Sequence, residues 1–296
     1  MKKNMLFIVG AAKSGTTSLA AYLDLYEGVS VSAVKEPFYF IDGIGIDSRE
    51  EYEELFAKEG FLYVDASTGY LYDKDCPKRI FEYCNRAKIL IVLRNPIDMA
   101  FSYWNYMRTN GNENKSFLGA LDPKERDFRT SEEFKRACFN WDKSYLYVER
   151  ASYHKQVQRY LDVFGKKNVK VVLLEEMIEN KDSSLRSICE FTHVNYNPKY
   201  ELPKENVGAE ATSKFLKYLR FGNLMGLRPI IRKYSSPRAR FFIAKGLKRI
   251  GTKQGVKYGL SKEDRVITKS YFEADVEHLK TLLSELKISK YWKEFN

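Results

Sequence analysis

The chain of 296 residues predicts an α/β fold: a parallel sheet flanked by helices, with a basic helical subdomain toward the C-terminus. Three observations carry that expectation. Short apolar runs alternate with longer amphipathic ones over the first two-thirds of the chain. The most apolar run, Ile89 to Leu93, has the uninterrupted character of a strand buried on both faces. Charge is also unevenly spread: Lys214 to Gly259 holds thirteen Lys or Arg and no Asp or Glu, against a formal net charge of +11 for the whole chain.

Taken in order, Leu6 to Gly10 reads as a strand and Thr16 to Tyr26 as the helix after it. Phe61 to Asp65 is a short strand, followed by a helix from about Asp75 to Asn85. After the central strand Ile89 to Leu93, a helix opens at Pro96 and runs to about Met107; proline suits a first turn, where its missing N–H has no partner to lose. Thr109 to Thr130, rich in Asn, Gly, Asp, Lys and Glu, reads as a surface excursion. A long amphipathic helix is expected over about Ser144 to Phe164, then an apolar strand over Val169 to Leu174 and a helix over Ser183 to Phe191. Gly222, Gly226, Pro229 and Pro237 cut the basic block into short pieces. Ser261 with Asp264 resembles a capping box opening a terminal helix through about Leu286. The economical organisation is one domain over 1–296, with an α/β core over 1–200 and the basic subdomain over 201–296.

Composition narrows the classes. A hydrophobic content of 44% and an aromatic content of 15% describe a globular protein with a real core. Cys76, Cys84, Cys138 and Cys189 form no C-x-x-C pair, and His154, His193 and His278 are scattered. Neither a metal site nor a disulfide scaffold is expected; the thiols read as free. The apolar run from Met5 to Ala12 stops at Lys13, too short to span a membrane, so a soluble, cytoplasmic protein is expected. The basic block calls for an anionic partner: a nucleotide phosphate, an acidic glycan or a membrane surface.

The chemistry concentrates at Phe7-Ile-Val-Gly10-Ala-Ala-Lys13-Ser-Gly15-Thr-Thr-Ser-Leu19. A strand enters a small-residue turn and leaves as a helix, so backbone amides and the positive helix end converge on an anion. Gly10 and Gly15 have Walker-loop spacing, but Thr16 stands where that motif needs lysine, and the lysine has moved to position 13. Nucleoside triphosphatases also place an acidic magnesium ligand at the end of a neighbouring strand. Here that strand ends in Arg94, which would repel Mg²⁺ and attract a second phosphate. The fold is therefore expected to be of the P-loop type, with the nucleotide held by cations and no metal. A P-loop kinase or NTPase stays as an alternative. So does a basic membrane-surface or nucleic-acid binder, although no nucleic-acid-binding signature accompanies the basic block.

At these residues the chain resembles a known family. Lys13 to Leu19 is similar to the 5'-phosphosulfate loop of sulfotransferases that use 3'-phosphoadenosine 5'-phosphosulfate (PAPS). Ile91-Val-Leu-Arg94-Asn-Pro96 through Ser102-Tyr103 resembles their 3'-phosphate motif. Lys35-Glu36-Pro37-Phe38-Tyr39-Phe40 and Asp65-Ala-Ser-Thr-Gly-Tyr70 resemble segments of the heparan-sulfate-type and bacterial carbohydrate enzymes, and the four blocks fall in the expected order.

The resemblance implies a sulfuryl transfer from PAPS to a hydroxyl or amine, with adenosine 3',5'-bisphosphate as product. Lys13 would stabilise the leaving phosphate, and Ser14, Gly15, Thr16, Thr17 and Ser18 would hold the 5'-phosphate. Arg94 and Ser102 would take the 3'-phosphate, and Arg249 and Lys253 would close over the nucleotide. Glu36 is the candidate general base, with His154 as competitor. Lys35, Phe38, Ser67 and Tyr70 would meet the acceptor, and Tyr153 would lie near the cofactor. The implied acceptor is a glycan or glycolipid; separately, the Leu, Phe and Ile between the charges of the basic block lead to the expectation of membrane-peripheral contact. Ala66 and Thr68 depart from the lysine and proline common in heparan-sulfate-type enzymes, and Phe38 stands where some relatives have histidine.

Overall fold

Residues 4–56, 58–138, 141–203 and 259–296 are described by the structure, a computed structural model, together with the backbone of 209–211 and 252–254. The chain divides into two compact units, one built from 1–99, 149–205 and 267–296 and the other from 100–148 and 206–266.

The first unit is the parallel sheet and its helices. Strands β1 (Met5–Gly10), β2 (Val29–Val31), β3 (Leu62–Asp65), β4 (Lys88–Leu93) and β5 (Val169–Leu173) lie in the order β2-β3-β1-β4-β5, all parallel. Every residue of β1 is buried, and Ile89 to Leu93 of β4 are wholly inaccessible. Such strands can only be unbroken apolar runs, which is why they were legible. At the edge, β5 carries Lys170 and is partly open. Phe7 sits opposite Asp65 on one side and Ile89 on the other. The β1–β4 register shifts between Ile8 and Gly10, where the chain begins to leave the sheet.

The order of strands matters more than any one of them. From β1 the chain goes out to β2 and returns through β3, then crosses to β4 and β5 on the other side. The carboxyl ends of β1 and β4 therefore flank a topological switch point, where open α/β sheets bind ligands. Helices α1 (Thr16–Leu23), α3 (Cys76–Tyr83), α9 (His154–Phe164) and α11 (Lys181–Thr192) belong to this unit. One face of the sheet packs Leu6, Ile8, Leu90 and Val92 against Leu19, Leu23, Leu185 and Ile188 of α1 and α11.

Several expectations need correction. Helix α1 ends at Leu23, short of Tyr26, whose hydroxyl meets that of Tyr22 at 2.6 Å. The long helix over Ser144 to Phe164 is three pieces: a 3-10 turn (Asp142–Tyr145), α8 (Tyr147–Ala151) and α9. Its break has a distant cause. The backbone N–H groups of Tyr153 and His154 donate to the carboxylate of Asp275, at 2.6 and 3.2 Å, instead of continuing a helical ladder. The capping bond from Asp264 N–H to Ser261 Oγ is present at 2.9 Å, but the terminal helix is also divided, into Lys262–Lys269, Glu273–Leu282 and Ile288–Tyr291. The short elements β2, α2 (Arg49–Glu54) and α10 (Leu174–Glu179) had no periodic signal strong enough to be read.

The second unit contains most of α4 (Pro96–Thr109), then α5 (Phe117–Leu121), α6 (Pro123–Thr130), α7 (Glu132–Ala137) and an antiparallel pair, Ala209–Ala211 with Thr252–Gln254. Thr109 to Thr130 is thus not a bare surface excursion. Arg129 is 2% exposed and pairs with Glu113 at 3.0 Å, Glu125 at 3.0 Å and the Tyr145 carbonyl at 2.9 Å, while Tyr147 donates to Glu113 at 2.8 Å. Polar composition marked this stretch as surface; a closed ion network turns those charges inward. The basic block at 214–259 lies outside the described residues, apart from Gly259 and the backbone of 252–254.

Candidate functional site

Every strand of the parallel sheet delivers its loop to the same edge. Leaving β1, the turn Ala11 to Gly15 brings Lys13 into the left-handed region at φ 61°, where a side chain is rarely tolerated. Gly15, at φ 79°, is the residue before α1, and a methyl group there would approach Leu174 Cδ1 to 3.1 Å. Ser14 is fully buried, with its hydroxyl on the Ala12 carbonyl at 3.4 Å, and Thr16 is nearly so. Thr17 and Ser18 are half-buried. The first turn of α1 presents N–H groups that have no acceptor within the helix.

One residue beyond β4, Arg94 donates from Nη1 to the Lys13 carbonyl at 3.1 Å. The guanidinium thus ties the two strand ends together across the switch point.

Leaving β2, the Lys35-Glu36-Pro37-Phe38 loop is tightly wound: Glu36 and Phe38 both sit at φ 52°. Non-glycine residues in this region store strain that surrounding structure must hold. Two clamps are evident. Gly45, at φ 77°, passes so close that a methyl group would lie 2.2 Å from the Pro37 carbonyl, and the Ile46 N–H donates to that carbonyl at 3.0 Å. From β3, Thr68 Oγ1 donates to Glu36 Oε1 at 2.7 Å, and the Phe38 N–H reaches Ser67 Oγ at 3.4 Å.

Behind that loop lies Asp65, fully buried. It accepts from Ser67 Oγ at 2.7 Å, Tyr52 OH at 2.9 Å and Tyr70 OH at 3.0 Å. Burial pushes its carboxyl up to about 6, the three donated hydrogen bonds pull it down, and the charge of Glu36 adds to the rise. Because the folded state holds the proton more tightly than the unfolded chain, this group's contribution to stability falls as pH rises from about 4 to about 6, by about 3 kcal/mol. Asp65→Asn is therefore expected to gain stability relative to the parent over that window. Thermal melts of both proteins from pH 4 to 7 check this; parallel curves would refute it.

Electrostatics confirm one cluster. The Lys13 ammonium is pushed below its ordinary value by burial first, then by the positive charges of Lys35 and Arg94, while Glu36 opposes the fall. Two further cations and one carboxylate therefore act on Lys13 at the switch point. Such a set suits a dianionic or trianionic ligand and repels a divalent cation. Among the described residues, no group of three His, Cys, Asp or Glu could hold a metal ion, and no helix is long and apolar enough to cross a membrane.

Of the residues named from the sequence, Lys13, Ser14, Gly15, Thr16, Thr17, Ser18, Lys35, Glu36, Phe38, Ser67, Tyr70 and Arg94 all lie at the carboxyl edge of the first unit's sheet or directly behind it. Lys35 is exposed and Phe38 half-buried, whereas the Ser67 and Tyr70 hydroxyls are directed at Asp65. Tyr153 is fully buried and donates from OH to the Arg94 carbonyl at 3.0 Å. The ring of His154 packs on that of His278 at 5.2 Å. Ser102 lies in α4 within the second unit. Arg249 and the side chain of Lys253 fall outside the described residues. The reading by sequence missed Asp65 as the anchor of the Glu36 loop. An acidic residue ending an apolar strand, followed by Ser and Tyr, was the available signal.

A P-loop-type parallel sheet with cations gathered at its switch point defines the class as an α/β protein whose strand-end loops suit an anion. Comparison with known proteins specifies the class further: the sulfotransferase domain matches residues 3–247, and the chain belongs to the sulfotransferase family. It is 25% identical over 197 residues to the human bifunctional heparan sulfate N-deacetylase/N-sulfotransferase 2, covering 62% of this chain and 21% of that protein. It is likewise 25% identical over 201 residues to human heparan sulfate glucosamine 3-O-sulfotransferase 5, covering 63% of this chain and 52% of that protein. The chain thus spans at most about half the length of these relatives. A solved sulfotransferase from Alicyclobacillus acidocaldarius shares the fold, with a TM-score of 0.65 at 24% identity over 94% of this chain and 95% of that one. Mouse sulfotransferase SULT7A1 complexed with PAP does so at 0.50 and 17%, over 100% and 90% of the two chains.

Proposed function

We propose that the protein transfers a sulfuryl group from PAPS to a hydroxyl or amine of a carbohydrate acceptor. The observation that carries this reading is the joined pair of anion sites, Lys13 in the α1 loop and Arg94 on the next strand, with Glu36 alongside. Their chemistry fits the two ends of one nucleotide. Ser14 to Ser18 and the start of α1 would hold the 5'-phosphate, and Arg94 with Ser102 the 3'-phosphate through parallel hydrogen bonds. Arg249 and Lys253 are proposed to complete the nucleotide site from the basic block.

Transfer forms a bond from the acceptor oxygen or nitrogen to sulfur and breaks the bridging oxygen–sulfur bond. Glu36 would accept the acceptor's proton, and Lys13 would neutralise or protonate the departing phosphate oxygen. An ammonium with a lowered pKa is the readier donor for that step. The Thr68 bond aims Glu36 and the Ser67 and Tyr70 hydroxyls bond Asp65 behind the loop, while Lys35 and Phe38, with Ser67 and Tyr70, would meet the acceptor. A carbohydrate acceptor is favoured by the heparan sulfate relatives.

Calorimetric titration with adenosine 3',5'-bisphosphate, without magnesium, tests the reading. The parent is expected to bind, and Arg94→Ala to lose about 100-fold in affinity, the size of a charge-assisted bidentate contact. Absence of binding, with ATP and magnesium binding in its place, would return the loop to the kinase or NTPase class.

A further inference from the structure

The sulfotransferase domain match ends at residue 247, yet Ile267–Asn296 belongs to the same compact unit as the sheet. This C-terminal stretch meets the strand end that carries Arg94. Trp292 is fully buried and donates from Nε1 to Glu175 Oε2 at 3.1 Å. The other oxygen of Glu175 accepts the Asn95 N–H at 2.8 Å. Asn95 Nδ2 donates to Glu294 Oε2 at 3.1 Å, while Asn95 Oδ1 accepts the Ile97 N–H at 3.0 Å. On the other flank, Asp275 accepts the Tyr153 N–H at 2.6 Å, and the Tyr153 hydroxyl donates to the Arg94 carbonyl at 3.0 Å. The rings of Tyr153 and Trp292 pack at 6.1 Å.

The peptide bond that follows Arg94 is thus gripped at both its carbonyl and its N–H, and both grips run to residues between Phe272 and Phe295. Core closure alone needs only apolar contact at such a place. Here buried and half-buried polar groups form a continuous run of hydrogen bonds around the Arg94–Asn95 peptide, which is how a side chain is held in a productive pose.

We propose that the C-terminal segment is a working part of the nucleotide site, with Asp275, Trp292 and Glu294 as positioning residues that set Arg94 on the 3'-phosphate through Tyr153, Glu175 and Asn95. The inference rests on the reading of Arg94 given under Proposed function.

The test compares affinities for adenosine 3',5'-bisphosphate and adenosine 5'-monophosphate, which differ only in the 3'-phosphate. Tyr153→Phe removes one hydroxyl donor at nearly constant shape, Trp292→Phe removes the indole N–H together with part of the ring, and neither alters the charge, so the field at the site is preserved. Each variant is expected to lose about tenfold of the parent's preference for the bisphosphate, the scale of supporting-contact losses elsewhere, with affinity for the monophosphate within about twofold. Melting temperatures establish that both variants are folded, and Tyr153→Phe carries the test if Trp292→Phe is not. An unchanged preference, or equal weakening of both nucleotides, would overturn the proposal and leave the segment a structural role. If the parent shows no preference, or Arg94→Ala does not alter it, the assignment of Arg94 itself fails.

Discussion

On the proposed function, Lys13→Gly is expected to lower kcat about a thousand-fold in an assay that follows release of adenosine 3',5'-bisphosphate from PAPS with an oligosaccharide acceptor that the parent turns over. Removing one donor aimed at charge developing in the transition state costs about 10²–10³, and Lys13 adds a full positive charge to that contact. Glycine is a safe replacement for folding, because position 13 has φ 61° and any L-residue there, lysine and alanine alike, bears about 1 kcal/mol of backbone strain that glycine does not. Affinity for the bisphosphate product should fall only about tenfold, since Arg94 and the α1 loop persist. Turnover within tenfold of the parent would remove Lys13 from the chemistry.

The second large effect is expected at Glu36. Glu36→Gln keeps the length of the side chain and an oxygen able to accept from Thr68, but no longer takes a proton. A fall in kcat of about 10²–10³ is expected, in the range of general acid–base contributions, with nucleotide affinity unchanged. Thr68→Val leaves the carboxylate and deletes its aiming bond, so a smaller loss of about tenfold is expected. A Gln variant with parental kcat would mean that the base lies elsewhere.

Much of the α/β frame was legible because β1 and β4 are buried on both faces and cannot hide their composition. The phosphate loop was legible for a different reason: Gly15 and the residues before it are dictated by backbone geometry, which is local. What could not be read depends on partners far along the chain. The split between α8 and α9 is caused by Asp275, 122 residues from Tyr153. The inward turn of Thr109 to Thr130 depends on Arg129 meeting Glu113 and Tyr147, charges that look like surface until they are paired. The candidate site divides in the same way. Lys13, Glu36 and Arg94 announce themselves by type and position, whereas Asp65, Glu175 and Trp292 matter only through what they touch.

The segment after β3 alternates in a way that bears on how such a protein could change its acceptor. Asp65, Ser67 and Tyr70 are buried and bonded to one another, while Ala66 and Thr68 are partly open. Mutational tolerance should follow the same alternation. A combinatorial library aimed at new acceptors would begin at position 68, with a hydroxyl retained for Glu36, because Ala66, though partly open, packs against the core. Randomising 65, 67 or 70 would mostly yield proteins whose Glu36 loop has come loose, whatever acceptor they were selected on.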